Sequence, residues 1–208
     1  MISKKLYFDI AKKYGKVASW AVWSKAENSP KSNISNMEIF DISKNPSILN
    51  FLRNDIIMVG LNFSRPVEIN QPFSNFHDPN PNGQDYKIRY AFEHTDFYGS
   101  YMTDVIKNNP TSSSKDIIKH LKNKPHEIKY NINIFREELI FIGAIKPIII
   151  AFGQDAHEIL NKNLNNTEYS KLIKITHYSH RISKENYRID THKKLEHLIF
   201  NNTNIIEK

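Results

Sequence analysis

The chain contains no cysteine. That excludes disulfides, a thiol nucleophile, thiolate metal sites and a cysteine-bound iron–sulfur cluster. It has no apolar run approaching the roughly 20 residues that span a bilayer. Met1 to Lys13 is charged throughout and offers no apolar signal-peptide core, so a cytoplasmic location is the default expectation. There are no internal repeats and no low-complexity linker. Nine histidines are present, but they form no compact ligand motif, so neither a metal nor another cofactor is expected.

What remains is an ordinary globular composition, with 39% hydrophobic and 25% charged residues. A chain of 208 residues suits one well-buried domain and is short for two. The expectation is a single domain over 1–208, with residues 1–50 as a helical region packed on it. Lysine and arginine number 29 against 22 acidic residues, a net charge of +7. This excess fits a polyanionic partner. A chain crowded with Asn, Ile and Lys reaches the same excess through AT-rich coding, so charge alone says little.

Four short β-rich runs read as buried strands: Ile56–Leu61, Tyr101–Ile106, Ile148–Phe152 and Leu172–Thr176. The stretches between them are long enough for helical crossovers. Helices are expected over Ser3–Tyr14, from near Lys115, along the face Ile132, Phe135, Leu139 and Ile142, over Asp155–Asn163, and over Glu185–Phe200. Ser29–Ser35, Pro79–Gly83 and Asn108–Ser114 read as loops. The alternation predicts an α/β fold, a three-layer αβα sandwich around a four-stranded parallel sheet.

Two polar clusters stand at carboxyl ends of these strands. Gly60-Leu61-Asn62-Phe63-Ser64 follows Ile56-Ile57-Met58-Val59. His177-Tyr178-Ser179-His180-Arg181 follows Leu172-Ile173-Lys174-Ile175. Strand carboxyl ends form the ligand crevice of an open α/β sheet, so clusters over a hundred residues apart can share one site. The first cluster resembles the Gly-Ile-Asn-Pro-Gly motif in the mismatch-specific and thymine-DNA branch of the uracil-DNA glycosylase superfamily. The second resembles the His-Pro-Ser-Pro motif of other branches. Tyr101–Ile106 with Pro110–Asp116, and Ile148–Gly153, are similar to further segments of that superfamily. The likeness spans roughly Ile56 to Ser183.

The resemblance implies a uracil-DNA glycosylase-like fold and N-glycosidic bond hydrolysis on a flipped base in DNA. Asn62 would position the attacking water. His177 would donate to O2 of the departing base. Gly60, Leu61, Phe63 and Ser64 would line the base pocket. Phe76, or alternatively Phe73, would stack on the extruded base. Ser179 would contact a phosphate, with His180 beside it, and Arg181 stands where the family inserts a wedge. A monomer with no iron–sulfur cluster and no membrane association is expected.

Three positions depart from the pattern. Phe63 and Tyr178 stand where the motifs carry proline. Asp104 stands where an asparagine reads the pairing edge. Asparagine offers a donor and an acceptor, which suits uracil. An ionised aspartate only accepts, which suits the N4 amino group of cytosine. Ser64 replaces a tyrosine that blocks substituents at C5. Together these point to a 5-modified cytosine, such as one carried by phage DNA, and hence to defence. The alternatives are a uracil- or mismatch-directed repair glycosylase, and a non-catalytic DNA-binding module on the same fold.

Overall fold

The computed structural model describes residues 2–63, 71–107, 109, 111 and 113–199. Ser64, Asn108, Pro110, Ser112 and Phe200, on which sequence expectations fall, lie outside the described residues.

The chain opens with α1 (Lys4–Tyr14), whose first turn is capped by Ser3 Oγ accepting from the Leu6 amide at 3.2 Å. A short strand β1 (Ala18–Trp20) follows, then two 3-10 turns, Met37–Phe40 and Pro46–Asn50. The rest alternates strand and helix: β2 (Arg53–Asn62), α2 (Tyr86–Phe92), β3 (Ser100–Ile106), α3 (Ser114–Asn123), α4 (Pro125–Phe141), β4 (Ile148–Phe152), α5 (Gln154–Asn163), β5 (Lys171–Ile175) and α6 (Lys184–Ile199). Ser113 caps α3, and Pro125 starts α4 at a position where its missing N–H costs nothing.

The sheet has five strands in the order β1-β3-β2-β4-β5. β3, β2, β4 and β5 run parallel, while β1 pairs antiparallel with β3 through Ala18–Thr103 and Trp20–Tyr101. The expected four-stranded parallel sheet is therefore the major part of a mixed five-stranded one. The expected helical character of residues 1–50 is likewise corrected by β1. Burial explains both: all three β1 residues are buried, and Trp20 packs edge-on against Tyr101 with ring centroids 4.9 Å apart. An edge strand needs no β-branched run when it is covered by α1 and the loops after it.

Alternation along β2 sends side chains to two separate cores. Ile57, Val59 and Leu61 pack with residues of α1, α3, α4 and α5. Ile56 and Met58 pack with Ile88 and Phe92 of α2 and Tyr187 and Leu195 of α6. Helices thus cover both faces. β2 connects to β3 through α2 on one face, and β4 connects to β5 through α5 on the other. Adjacent strands whose connections depart to opposite faces open a crevice at their carboxyl ends. No helix among the described residues is long and apolar enough to cross a membrane.

Candidate functional site

A cavity of about 960 Å³ occupies that crevice. Its walls come from the ends of four strands: Leu61 and Asn62 at the end of β2 with Phe63 after it, Asp104 in β3, Phe152 at the end of β4 with Gly153 after it, and His177 to Ser179 after β5. The loop from Ser74 to Asp85 closes another side, with Asn75 and Phe76 lining the wall. The described lining carries Asp78, Asp85, Asp104 and Asp155 and no lysine or arginine.

Asn62 ends β2 with its amide orientation fixed. Nδ2 donates to three backbone carbonyls, Thr111 at 2.9 Å, Phe63 at 3.1 Å and Asn109 at 3.2 Å. Carbonyls only accept, so the nitrogen must face them. Oδ1 is left as the acceptor, with no donor among the described residues.

His177 begins a tight turn just beyond β5. Thr176 ties that end to α6 through Asp190 Oδ2 at 2.7 Å, and the His180 amide closes the turn on the His177 carbonyl at 2.9 Å. The Ser179 amide donates to His177 Nδ1 at 3.1 Å, and Ser179 Oγ lies 2.8 Å from the same nitrogen. A backbone N–H cannot accept, so Nδ1 is the unprotonated nitrogen and Nε2 carries the hydrogen. Burial pushes the imidazole down to about 4. His177 is therefore a neutral donor at physiological pH. Its ring stacks on Tyr178 at 4.3 Å and 23°, and Tyr178 meets Phe152 edge-on at 5.3 Å. Tyr178 thus builds an aromatic support under His177. Gly153 has φ +89°, and a Cβ there would stand 3.3 Å from His177 Cβ, so glycine lets β4 and β5 end this close together.

Asp104 is 4% exposed and faces the cavity from β3. Asn75 Nδ2 donates to its Oδ2 at 3.0 Å, and no described residue donates to Oδ1. Burial pushes its carboxyl up to about 6, against the opposing pulls of the Asn75 hydrogen bond and the nearby Lys107 ammonium. Gly60, its partner in the parallel register, lies beneath it. A Cβ on Gly60 would collide with Asp104 Oδ1 and approach Phe76 Cε1 to 3.6 Å. Gly60 therefore makes room for the carboxylate without lining the cavity itself. Gly60→Ala is expected to lower stability by about 1–3 kcal/mol, the usual cost of overpacking. Urea unfolding of both proteins measures it, and an unchanged midpoint would contradict this packing.

The two phenylalanines differ. Phe76 lines the cavity, held at φ 65° by Trp23 Nε1 donating to its carbonyl at 3.2 Å. Phe73, at φ 70°, points away into the core among Tyr7, Trp20 and Phe40. The expectation that Phe73 shares the pocket is corrected: its carbonyl accepts from Ser19 Oγ at 2.6 Å, which turns its ring under α1. His180 and Arg181 are exposed on the rim and do not line the cavity. Ser64 lies outside the described residues. Asn75 escaped the sequence reading. The polar pair Asn75 and His77 flanking Phe76 was its one signal.

Among the described residues no group of acidic or histidine side chains has the arrangement of a metal site. Comparison with known proteins finds no matching family model, no matching curated protein and no matching solved structure.

Proposed function

We propose that this chain is a monofunctional DNA glycosylase of the uracil-DNA glycosylase superfamily, acting on a 5-modified cytosine and leaving an abasic site. The observation that carries the reading is the meeting of Asn62 and His177 in one cavity. Among the described residues, the one atom of each that the chemistry needs has no hydrogen-bond partner. Asn62 presents a carbonyl oxygen, which can hold and orient a water through its hydrogen. His177 presents Nε2–H, which can donate to O2 of a departing pyrimidine.

In the reaction, water adds to C1′ as the C1′–N1 bond breaks. The bonding pair leaves with the base, and the attacking water loses its proton to solvent. Charge builds on the base as the bond lengthens, and a preorganised neutral donor stabilises it without moving. Phe76 gives the extruded ring a stacking surface, which offsets part of the few kcal/mol that flipping costs. Ser179, with Arg181 and His180 on the rim, is suited to the phosphates flanking the flipped nucleotide. The acid-lined interior suits a neutral base and repels phosphate.

Asp104 favours a cytosine. Its Oδ1, to which no described residue donates, accepts from an N4 amino group and repels the O4 of uracil. The cavity also has room well beyond one pyrimidine ring, which suits a substituent at C5. Unmodified cytosine fills every genome, so a modified form in foreign DNA is the safer target, and defence against phage is the role that follows.

Mass spectrometry of free bases released from unmodified, uracil-containing and 5-hydroxymethylcytosine-containing DNA tests the reading. A modified cytosine is expected in the supernatant, with abasic sites left in the strand. Release of uracil alone would move the assignment to repair. Tight DNA binding without release of any base would leave only a binding module.

A further inference from the structure

Asn62 is held in place by a loop that is itself held from α4. Its Nδ2 donates to the carbonyls of Asn109 and Thr111, both in the connection between β3 and α3. The connection's described residues, Lys107, Asn109, Thr111 and Ser113, belong to no helix or strand. Its anchor is Glu127, in the first turn of α4, whose Oε2 accepts from Asn109 Nδ2 at 2.8 Å. One turn further along the same face, Asn131 takes the Lys107 amide on its Oδ1 at 2.9 Å and donates to the Glu127 carbonyl at 2.8 Å. The connection is therefore pinned to α4 at both its start and its middle.

We propose that Glu127 is a positioning residue for the reaction: through Asn109 it fixes the loop carbonyls that turn the Asn62 amide oxygen into the cavity. This rests on the glycosylase reading only for its catalytic consequence; the clamp itself is a matter of geometry. Glu127 is well suited to the task. His120 Nε2 stands 2.8 Å from Oε2 and Lys124 Nζ 3.3 Å from Oε1, so the carboxylate is itself fixed from two further sides. These contacts, His120 foremost, hold it down to about 2, so it stays an acceptor at every working pH. An acid in the first turn also complements the helix dipole. That role needs neither Asn109 nor the bond to it.

The test uses the full chain. In ¹⁵N-labelled protein, the Asn62 side-chain amide signals are assigned by their loss in Asn62→Ala. They are expected to be slow to exchange with water in the wild type. Exchange should accelerate several-fold in Glu127→Ala and in Asn109→Ala, and stay slow in Glu127→Gln, whose carbonyl still accepts from Asn109. Unchanged exchange in Glu127→Ala overturns the proposal whatever the enzyme does. For catalysis, single-turnover release from duplexes holding uracil or 5-hydroxymethylcytosine should fall by about 10²-fold in Glu127→Ala, the scale of a slightly misplaced reacting group, with DNA affinity retained. Glu127→Ala should add nothing to Asn62→Ala, because both act through one side chain. Equal losses in both backgrounds would mean that Glu127 serves general stability and would overturn the proposal. If wild type releases no base, the glycosylase reading fails on its own, and the exchange measurement still decides the clamp.

Discussion

Asn62→Ala and His177→Ala are each expected to lower single-turnover base release by about 10²–10³-fold, with duplex binding largely retained. The magnitude follows from what each truncation removes. Alanine at 177 deletes a neutral donor in the cavity wall, its tautomer fixed by the Ser179 amide at 3.1 Å. Alanine at 62 deletes the oxygen proposed to orient water, while the three carbonyls that held Nδ2 are left to solvent. Asn62 bonds no rim residue, and the backbone bond from the His180 amide to the His177 carbonyl survives truncation to alanine, so DNA grip should largely persist. The pH profile adds a second check. Burial holds His177 at about 4, below its ordinary value, so the proton needed for donation sits on neutral imidazole above that pH. Release should therefore show no His177 limb between pH 5 and 8. Near-normal rates in both variants would remove the mechanism.

Much of this geometry is legible in the sequence, for a physical reason. Central parallel strands are buried on both faces, so they must be near-continuous apolar runs. Ile148–Phe152 coincides with β4, and the other three expected strands begin or end within a few residues of β2, β3 and β5. A strand's carboxyl end is also where polar residues first appear, which is why Asn62 and His177 stand out. β1 does not, because three residues of Ala-Ser-Trp carry no period. α2, seven residues long, lies equally below what periodicity detects. Phe73 and Phe76 are the same residue type three apart in one loop. Only two left-handed backbone positions and the bonds from Ser19 and Trp23 decide which ring meets the cavity. The support of Asn62 is invisible for a different reason. It runs through backbone carbonyls, and carbonyls are the same in every residue.

Asp104→Asn is expected to transfer preference from a 5-modified cytosine toward uracil and to stabilise the fold at the same time. The first effect depends on Asn75. Its Oδ1 accepts from the Phe76 amide at 3.1 Å, so its Nδ2 must face residue 104, where it now donates to Oδ2 at 3.0 Å. An asparagine at 104 must answer that donor with its oxygen. Its own NH₂ group then takes the place of Oδ1 and turns a donor into the cavity. That donor pairs with O4 of uracil and clashes with the N4 amino group of cytosine. Sites built on buried hydrogen bonds discriminate by up to about 10⁴–10⁵-fold when partners are mismatched, so a change of two or more orders of magnitude in the rate ratio is expected. In the wild type the same ratio should depend on pH. Above about 6 the carboxylate is ionised and accepts from N4; below it the protonated group can donate to O4, so preference for cytosine should weaken as pH falls. The second effect follows from linkage. The carboxyl is raised in the fold from 3.8 to about 6, so its ionised form is disfavoured there. The resulting cost is absent below the unfolded value, grows as pH rises between the two, and reaches about 3 kcal/mol above 6. Asparagine cannot ionise. Asp104→Asn should therefore raise the unfolding midpoint at pH 8 and leave it nearly unchanged at pH 4. Matched oligonucleotides holding uracil, cytosine or 5-hydroxymethylcytosine test the first half, and denaturant unfolding at the two pH values tests the second. A wild type efficient on uracil and inert on every cytosine derivative would show that Asp104 does not read the base this way. A gain in stability without a change in preference would leave Asp104 as a buried acid whose purpose lies elsewhere.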